Sequence, residues 1–336
     1  MHINSNKTKI KVIVTDFIEP DLKWEEDELA PLGIEIRAYQ LKHAPPEELV
    51  EKLKDGDVLI VNMARMTKEV MSNLPNCKLI VRHGVGYDNI DLNAASELGI
   101  QVSYVPDYCV DEVAEQAVML MLGVWRRIRY QLRSMGQSVG KTEWDFSSVG
   151  TIRRIAGRRA GIIGCGRIGS RTLRIVRGFG MEATVCDPYL SEKRQKELGI
   201  TVTTLEEVLQ SADFISLHCI LNESTYHLIG EKQLRMMKSN AILVNTARGG
   251  LVDIDALARA CREGWIAGAG IDVFEEEPPD SHFPLLGLDN VLLTPHLSWY
   301  SEDAVWEIRK KIIEDIKRFV SGQGPRFPLN KVIVNG

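Results

Sequence analysis

No two cysteines in this sequence fall into a CxxC spacing; the six stand apart at positions 77, 109, 165, 186, 219 and 261. That scatter argues against a disulfide framework and against a structural zinc site. Several of them sit in strand-like apolar runs, where Cys behaves as a small hydrophobe. No apolar stretch reaches the length of a membrane span, and the first nine residues, Met1 to Lys9, lack the apolar core of a secretion signal. Positive charge is not in excess either. With 41 Lys and Arg against 46 Asp and Glu the formal net charge is −5, which gives no general attraction to nucleic acid or to an anionic membrane. Short basic clusters, such as Arg126-Arg127-Ile128-Arg129 and Arg158-Arg159, read as a solvated helix face and a loop. The sequence has no low-complexity tract and no short-period repeat. A globular protein of the reducing cytoplasm is expected, without metal, membrane or nucleic acid as partner.

What is present suits two α/β domains: 336 residues, 44% apolar and 26% charged. Strand-like runs at residues 11–16, 34–39, 57–61 and 78–82 alternate with helical spacing, as at residues 47–53. Continuous apolar runs bounded by turns suit strands buried on both faces of a parallel sheet, and alternating β and α suggests an open, doubly wound domain. A long helix is predicted over residues 111–129, apolar nearly all round and therefore buried on several sides, between domains or between subunits. Residues 131–158 are polar and rich in Gly and Arg, and read as an arm or long loop. A second βα series follows, with strands at 160–164, 183–187, 214–218, 241–245, 268–273 and 291–294. A helix over residues 302–320 is closed by Gly322, Gly324 and Pro325.

The first strand of that second series runs into Gly164-Cys165-Gly166-Arg167-Ile168-Gly169, and a helical pattern follows. Each glycine has a physical reason in a dinucleotide site. The first permits the tight turn, the second lets backbone approach a pyrophosphate, and the third lets helix pack on strand. The phosphates then lie at the helix N-terminus opened by Arg167 and Ile168. The same motif asks for an acidic residue at the end of the next strand. Asp187 stands there, 18 positions after Gly169; its carboxylate suits ribose hydroxyls and would repel a 2′-phosphate, which favours NAD over NADP. The competing role is a strand-end Asp opening a turn before Pro188.

Four further motifs occur in order: Arg82-His83-Gly84-Val85-Gly86-Tyr87-Asp88-Asn89-Ile90-Asp91, Asn245-Thr246-Ala247-Arg248-Gly249-Gly250, Gly270-Ile271-Asp272-Val273-Phe274-Glu275-Glu276-Glu277-Pro278 and Thr294-Pro295-His296-Leu297-Ser298-Trp299. With them the chain resembles the D-isomer-specific 2-hydroxyacid dehydrogenases over nearly its whole length. The resemblance implies interconversion of a 2-oxo acid and a D-2-hydroxy acid with NAD. It also implies a Rossmann cofactor domain, residues 107–297, inserted in a flavodoxin-like substrate domain of residues 1–106 and 298–336. A homodimer formed through the helix starting near Asp111 is implied as well.

The chemistry asks for the same residue types. Arg248 can grip the substrate carboxylate with its rigid fork of donors. His296 can donate a proton to the oxygen that gains charge on hydride attack, and take it back in the oxidative direction. Glu277 can orient the imidazole, since a carboxylate partner favours its protonated form. No metal is needed. Taken one at a time, Arg248 could be a strand-end surface residue, Glu277 part of a solvated acidic turn, and His296 a strand-end histidine satisfied by backbone. From the family come backbone contacts to the substrate carboxylate at Val85 and Gly86, and backbone contacts to cofactor at Thr246 and Ala247. Asp272 would bind the nicotinamide amide, with a strand-end cap as the alternative. His218 and Cys219 either line the cofactor site or belong to core and loop.

Arg82, Trp299 and the run Val105-Pro106-Asp107-Tyr108-Cys109 look most like the branch that holds the C-terminal binding protein corepressors. In that branch the equivalent Arg adds a positive contact to substrate and the equivalent Trp packs on its side chain, which implies an apolar or thioether 2-oxo acid. Trp299 could equally be a packing residue. Phosphoglycerate and glyoxylate or hydroxypyruvate remain alternative substrates. An NAD(H)-sensing dimeric binding protein is the alternative of another class, and the intact Arg, Glu and His set weighs against it.

Overall fold

The computed structural model describes residues 10–332; the segment read above for a secretion signal, His2 included, lies outside them. Two compact units emerge, Met1–Tyr108 with Ser301–Gly336, and Cys109–Tyr300. Both are parallel-sheet α/β units.

The first unit runs β1 (Lys11–Val14), α1 (Lys23–Leu29), β2 (Glu35–Ala38), α2 (Pro46–Leu53), β3 (Val58–Val61), α3 (Lys68–Met71), β4 (Leu79–Arg82), α4 (Leu92–Glu97) and β5 (Gln101–Ser103). Its five strands lie in the order β2-β1-β3-β4-β5, all parallel, which is the flavodoxin-like winding. The inner strands owe their central places to composition. All four residues of β3, Val58-Leu59-Ile60-Val61, are buried, whereas β2 is largely exposed at the edge. β5 is not apparent in the sequence: it is three residues long, and the Asn330 side chain holds its Val102 N–H and Gln101 amide. The C-terminal helix (Glu302–Val320) belongs to this unit and is capped by Ser301, whose side chain accepts from the Ala304 N–H. Its Arg309 makes a buried two-pronged ion pair with Glu25 of α1 at 2.6 and 2.7 Å.

The second unit runs α5 (Val110–Trp125), α6 (Ile128–Ser138), β6 (Arg159–Ile163), α7 (Arg167–Gly178), β7 (Glu182–Cys186), α8 (Glu192–Leu198), α9 (Leu205–Ser211), β8 (Phe214–Leu217), α10 (Glu231–Met236), β9 (Ile242–Asn245), α11 (Ile254–Glu263), β10 (Gly268–Ile271) and β11 (Val291–Leu293). The sheet order is β11-β10-β9-β8-β6-β7, with Val202 bridged in parallel to Val185 of β7 at one edge. Counting that bridge as a strand reduced to one residue gives the 3-2-1-4-5-6 winding of a Rossmann domain, with β11 added as a seventh strand beyond β10. The order reverses between β6 and β8, where a dinucleotide lies in such sheets.

Two sequence expectations change here. The helix predicted over residues 111–129 breaks at Arg127, whose backbone is left-handed (φ 55°). The supposed arm over residues 131–158 begins as helix α6. Its apolar residues follow helical spacing, but most face solvent, and the Gly and Arg between them give the stretch the composition of a loop. Most apolar residues of α5 are covered within the unit, Met119 being the exposed exception: α5 packs on α7, β9 and β10, with Leu120, Ala114 and Ala117 almost wholly buried. No helix among the described residues is long and apolar enough to cross a membrane.

Candidate active site

The C-terminal edge of the second unit's sheet collects most of the predicted site residues. β6 leads into Gly164, whose φ is +84°. A Cβ there would stand 2.6 Å from the Cys219 nitrogen and 2.7 Å from the His218 carbonyl, so the turn is pressed onto the end of β8. At Gly169 a Cβ would come within 2.1 Å of the Gly164 oxygen, the close helix-to-strand approach that the motif demands. Gly166 differs: nothing lies within 4 Å of its imagined Cβ, and α7 starts after it, at Arg167 and Ile168, with no side-chain cap. An uncapped helix N-terminus facing open space suits a diphosphate. The Asp187 carboxylate sits against this turn and accepts from the Cys165 N–H at 2.8 Å and the Tyr189 N–H at 3.0 Å. One bond on each oxygen leaves each an acceptor position for a ribose hydroxyl. The Thr246 hydroxyl, beyond the end of β9, is buried with no hydrogen-bond partner among the described residues. These features fit a dinucleotide.

His218 and Cys219 meet the fingerprint through their main chain. The His218 ring pairs with Ser216 Oγ at 2.9 Å, and burial pulls its pKa down to about 4, so it is neutral at neutral pH. Burial pushes the Cys219 thiol up to about 11, leaving it unreactive. The Ala247 amide is already committed to Asn245 Oδ1 at 3.1 Å, and its carbonyl accepts from Arg248 Nη1 at 2.7 Å.

Arg248, Glu277 and His296 follow three neighbouring strands, β9, β10 and β11. Asn245 fixes the Arg248 turn by donating to its carbonyl at 2.8 Å. Gly249 lets that turn lie against the chain leading to Glu277, since a Cβ there would sit 2.1 Å from the Phe274 carbonyl carbon. Gly249 has no role in the sequence reading, although a glycine directly after a candidate catalytic Arg is a signal of close approach. Glu277 accepts from His296 Nδ1 at 2.6 Å through one oxygen and from the Phe274 N–H at 2.9 Å through the other. Burial works against ionisation of Glu277, but the His296 bond and charge, the Phe274 amide and the Arg248 charge outweigh it and lower its pKa. An ionised carboxylate only accepts, so Nδ1 carries a proton and Nε2 is left for substrate.

His296 has a left-handed backbone, φ 54°, and Asp272 holds it there. The Asp272 carbonyl accepts from the His296 N–H at 2.8 Å. Its wholly buried carboxylate accepts from Thr294 Oγ1, the Leu297 N–H, the Ser298 N–H and Ser298 Oγ. Four donors fill the lone pairs of a carboxylate. Of the two roles weighed for Asp272, capping is the one its hydrogen bonds serve here. Nothing in the sequence singles out Thr294 and Ser298, because their partner stands more than twenty residues away. Trp299 is half-buried and stacks edge-on to Tyr300 at 5.4 Å.

In the first unit, Arg82 ends β4 and Gly84 has a φ of 150°. The guanidinium of Arg82 bonds the His83 carbonyl. Val85 and Gly86 are half-buried residues, and among the described residues their N–H groups have no hydrogen-bond partner. Two adjacent unpaired amides in a glycine loop are donors suited to a carboxylate.

Residues 118–298 match the family model described as the D-isomer specific 2-hydroxyacid dehydrogenase, NAD binding domain. A glyoxylate reductase of Korarchaeum cryptofilum is 39% identical over 87% of this chain and 88% of its own length. A D-3-phosphoglycerate dehydrogenase of Methanocaldococcus jannaschii is 40% identical over 94% of this chain, which spans 58% of that longer protein. Among solved structures, D-lactate dehydrogenase from Aquifex aeolicus, complexed with NAD and lactic acid, superposes with a TM-score of 0.81 at 32% identity. The match covers 93% of this chain and 96% of that one.

Proposed function

Because this chain belongs to the D-isomer specific 2-hydroxyacid dehydrogenase family, we propose that Arg248, Glu277 and His296 carry its NAD-dependent interconversion of a 2-oxo acid and a D-2-hydroxy acid. The observation that supports this division of labour is the His296–Glu277 hydrogen bond of 2.6 Å, set on a turn that Asp272 holds. A bound dinucleotide supplies the hydride. Arg248 binds the substrate carboxylate and polarises the carbonyl. Nε2 of His296 gives its proton to the oxygen as negative charge builds there, and Glu277 stabilises the imidazolium while fixing the ring. Within the first unit, the Val85 and Gly86 amides, with Arg82, offer donors suited to a substrate carboxylate. Gly164, Gly166, Gly169, Asp187 and the Thr246 hydroxyl hold NAD, and Asp187 selects against a 2′-phosphate. Turnover of 2-oxo acids with NADH and not with NADPH tests the assignment; equal use of both coenzymes would remove the role given to Asp187.

For the substrate we favour a small 2-oxo acid of the glyoxylate type, the substrate named for one of the relatives above. The C-terminal binding protein-like alternative, an apolar or thioether side chain on Trp299, is kept because that indole is half-buried three residues after His296. Trp299→Ala separates the two. If the indole holds a side chain, kcat/KM for 4-methylthio-2-oxobutyrate falls by about 10-fold to 100-fold relative to glyoxylate. An unchanged ranking of 2-oxo acids removes Trp299 from the specificity pocket.

A homodimer also belongs to this proposal. α5 buries most of its apolar side chains inside its own unit. A run of exposed apolar residues lies on α6 and just beyond it: Leu132, Met135 and Val139, with Trp144 and Phe146, are each at least half exposed. Helical spacing puts the first three on one stripe. Light scattering should give twice the chain mass of 37.7 kDa. In Leu132→Glu the dimer should weaken by about 100-fold or more, because an unpaired carboxylate would be buried. A dimer that survives Leu132→Glu unchanged places the contact elsewhere.

A further inference from the structure

His83, the residue between Arg82 and the glycine loop, has no place in the scheme above. Its environment is unusual for a surface loop. Nε2 of His83 lies 2.9 Å from Oε1 of Glu19, and the two side chains are only 10% and 2% exposed. The other Glu19 oxygen accepts from the Ile18 N–H at 3.0 Å. The His83 N–H is donated to the Val61 carbonyl at 2.8 Å, and its own carbonyl accepts from the Arg82 guanidinium. His83 is thus fixed at its amide, its carbonyl and its ring. The ring contact joins the loop after β1 to the loop after β4, across 64 residues of sequence. The next residues are Gly84, and then Val85 and Gly86 with their unpaired amides.

We infer that Glu19 and His83 form a positioning pair that sets the Val85 and Gly86 amides for the substrate carboxylate. The inference rests on the assignment of that loop to substrate. A glycine loop gains no rigidity from its own side chains, so amides that must point at one carboxylate need an outside anchor. The pair supplies it one residue upstream of the glycines. A buried His–Glu pair is a poor device for stability alone, because desolvation offsets most of the attraction; as a geometric tie it fixes one direction and one distance. The state of Glu19 agrees with a strong tie. Burial alone would raise its carboxyl, but the His83 bond and charge, with the backbone amides, hold it down at about 2.

The test is steady-state kinetics on Glu19→Gln, on the double variant Glu19→Met with His83→Leu, and on Arg82→Gln. The double variant leaves no buried charge unpaired, so it stays readable if the single variant does not fold. Each Glu19 variant should raise KM for the 2-oxo acid by about tenfold, with kcat within about twofold and the Kd for NADH unchanged. A folded variant with unchanged KM, beside a raised KM in Arg82→Gln, overturns the positioning role and leaves the loop assignment standing. Unchanged KM in Arg82→Gln removes the loop assignment and this inference with it. A parallel loss of kcat, NADH affinity and melting temperature in the double variant marks the pair as ordinary core and also overturns the proposal.

Discussion

His296→Asn is expected to lower kcat by about 10²-fold to 10⁴-fold, the usual contribution of a positioned general acid, while the Kd for NADH stays within about twofold. Asparagine is the informative replacement because His296 has a φ of 54°. Asn tolerates the left-handed region better than most residues, so the Asp272-anchored turn should survive. Alanine would add backbone strain to the lost chemistry. Since His296 and Glu277 act together, adding Glu277→Gln to the His296→Asn variant should cost little more. Stopped-flow measurement of a single turnover isolates the chemical step. If the Asn variant kept more than about a tenth of wild-type kcat, His296 would not be the proton donor.

Gly164→Ala should have the largest effect on stability. The residue combines a φ of +84° with backbone atoms of His218 and Cys219 at 2.6–2.7 Å from the new methyl group. Backbone cannot step aside as a flexible side chain can, so the turn must open. A loss of about 2–4 kcal/mol in denaturant titration is expected, with at least a tenfold rise in the Kd for NADH. Gly166→Ala provides the contrast. Its φ is −68° and its methyl would meet no protein atom within 4 Å, so stability should change by less than about 1 kcal/mol. Affinity for NADH should nonetheless fall, because the methyl occupies the space kept for the pyrophosphate. If both variants lost stability equally, the two glycines would not divide the work between turn and ligand.

What could be read in the sequence follows from the range of the interactions. The fingerprint, Asp187 and the strands that carry them are local: a period, a turn and a spacing of about twenty residues suffice. The three strand ends that bear Arg248, Glu277 and His296 could be recognised because each motif sits beside an apolar run. The four donors on the Asp272 carboxylate could not, because they come from residues 22 to 26 positions away. Glu19 is invisible for the same reason, its partner being in the fourth strand's loop. The third strand of the Rossmann winding is hidden because a single bridge at Val202 leaves no alternating pattern. α6 reads as loop because Arg, Gly and other polar residues outnumber the members of its short apolar stripe and give the stretch the composition of a loop.

The sequence distance in the Arg309–Glu25 ion pair has a consequence for synthesis. The partners lie 284 residues apart, and all of Cys109–Tyr300 is translated between them. The second unit is contiguous and leaves the ribosome with its sheet complete. The first unit has its five strands early but waits for its last helix. At about 5–20 residues per second, β1 to β5 spend roughly ten seconds or more without that cover. During that interval apolar surface meant for the helix faces water, so the nascent first unit is the part of the chain on which a chaperone would act, and a ribosome stalled before residue 302 would leave it unfinished.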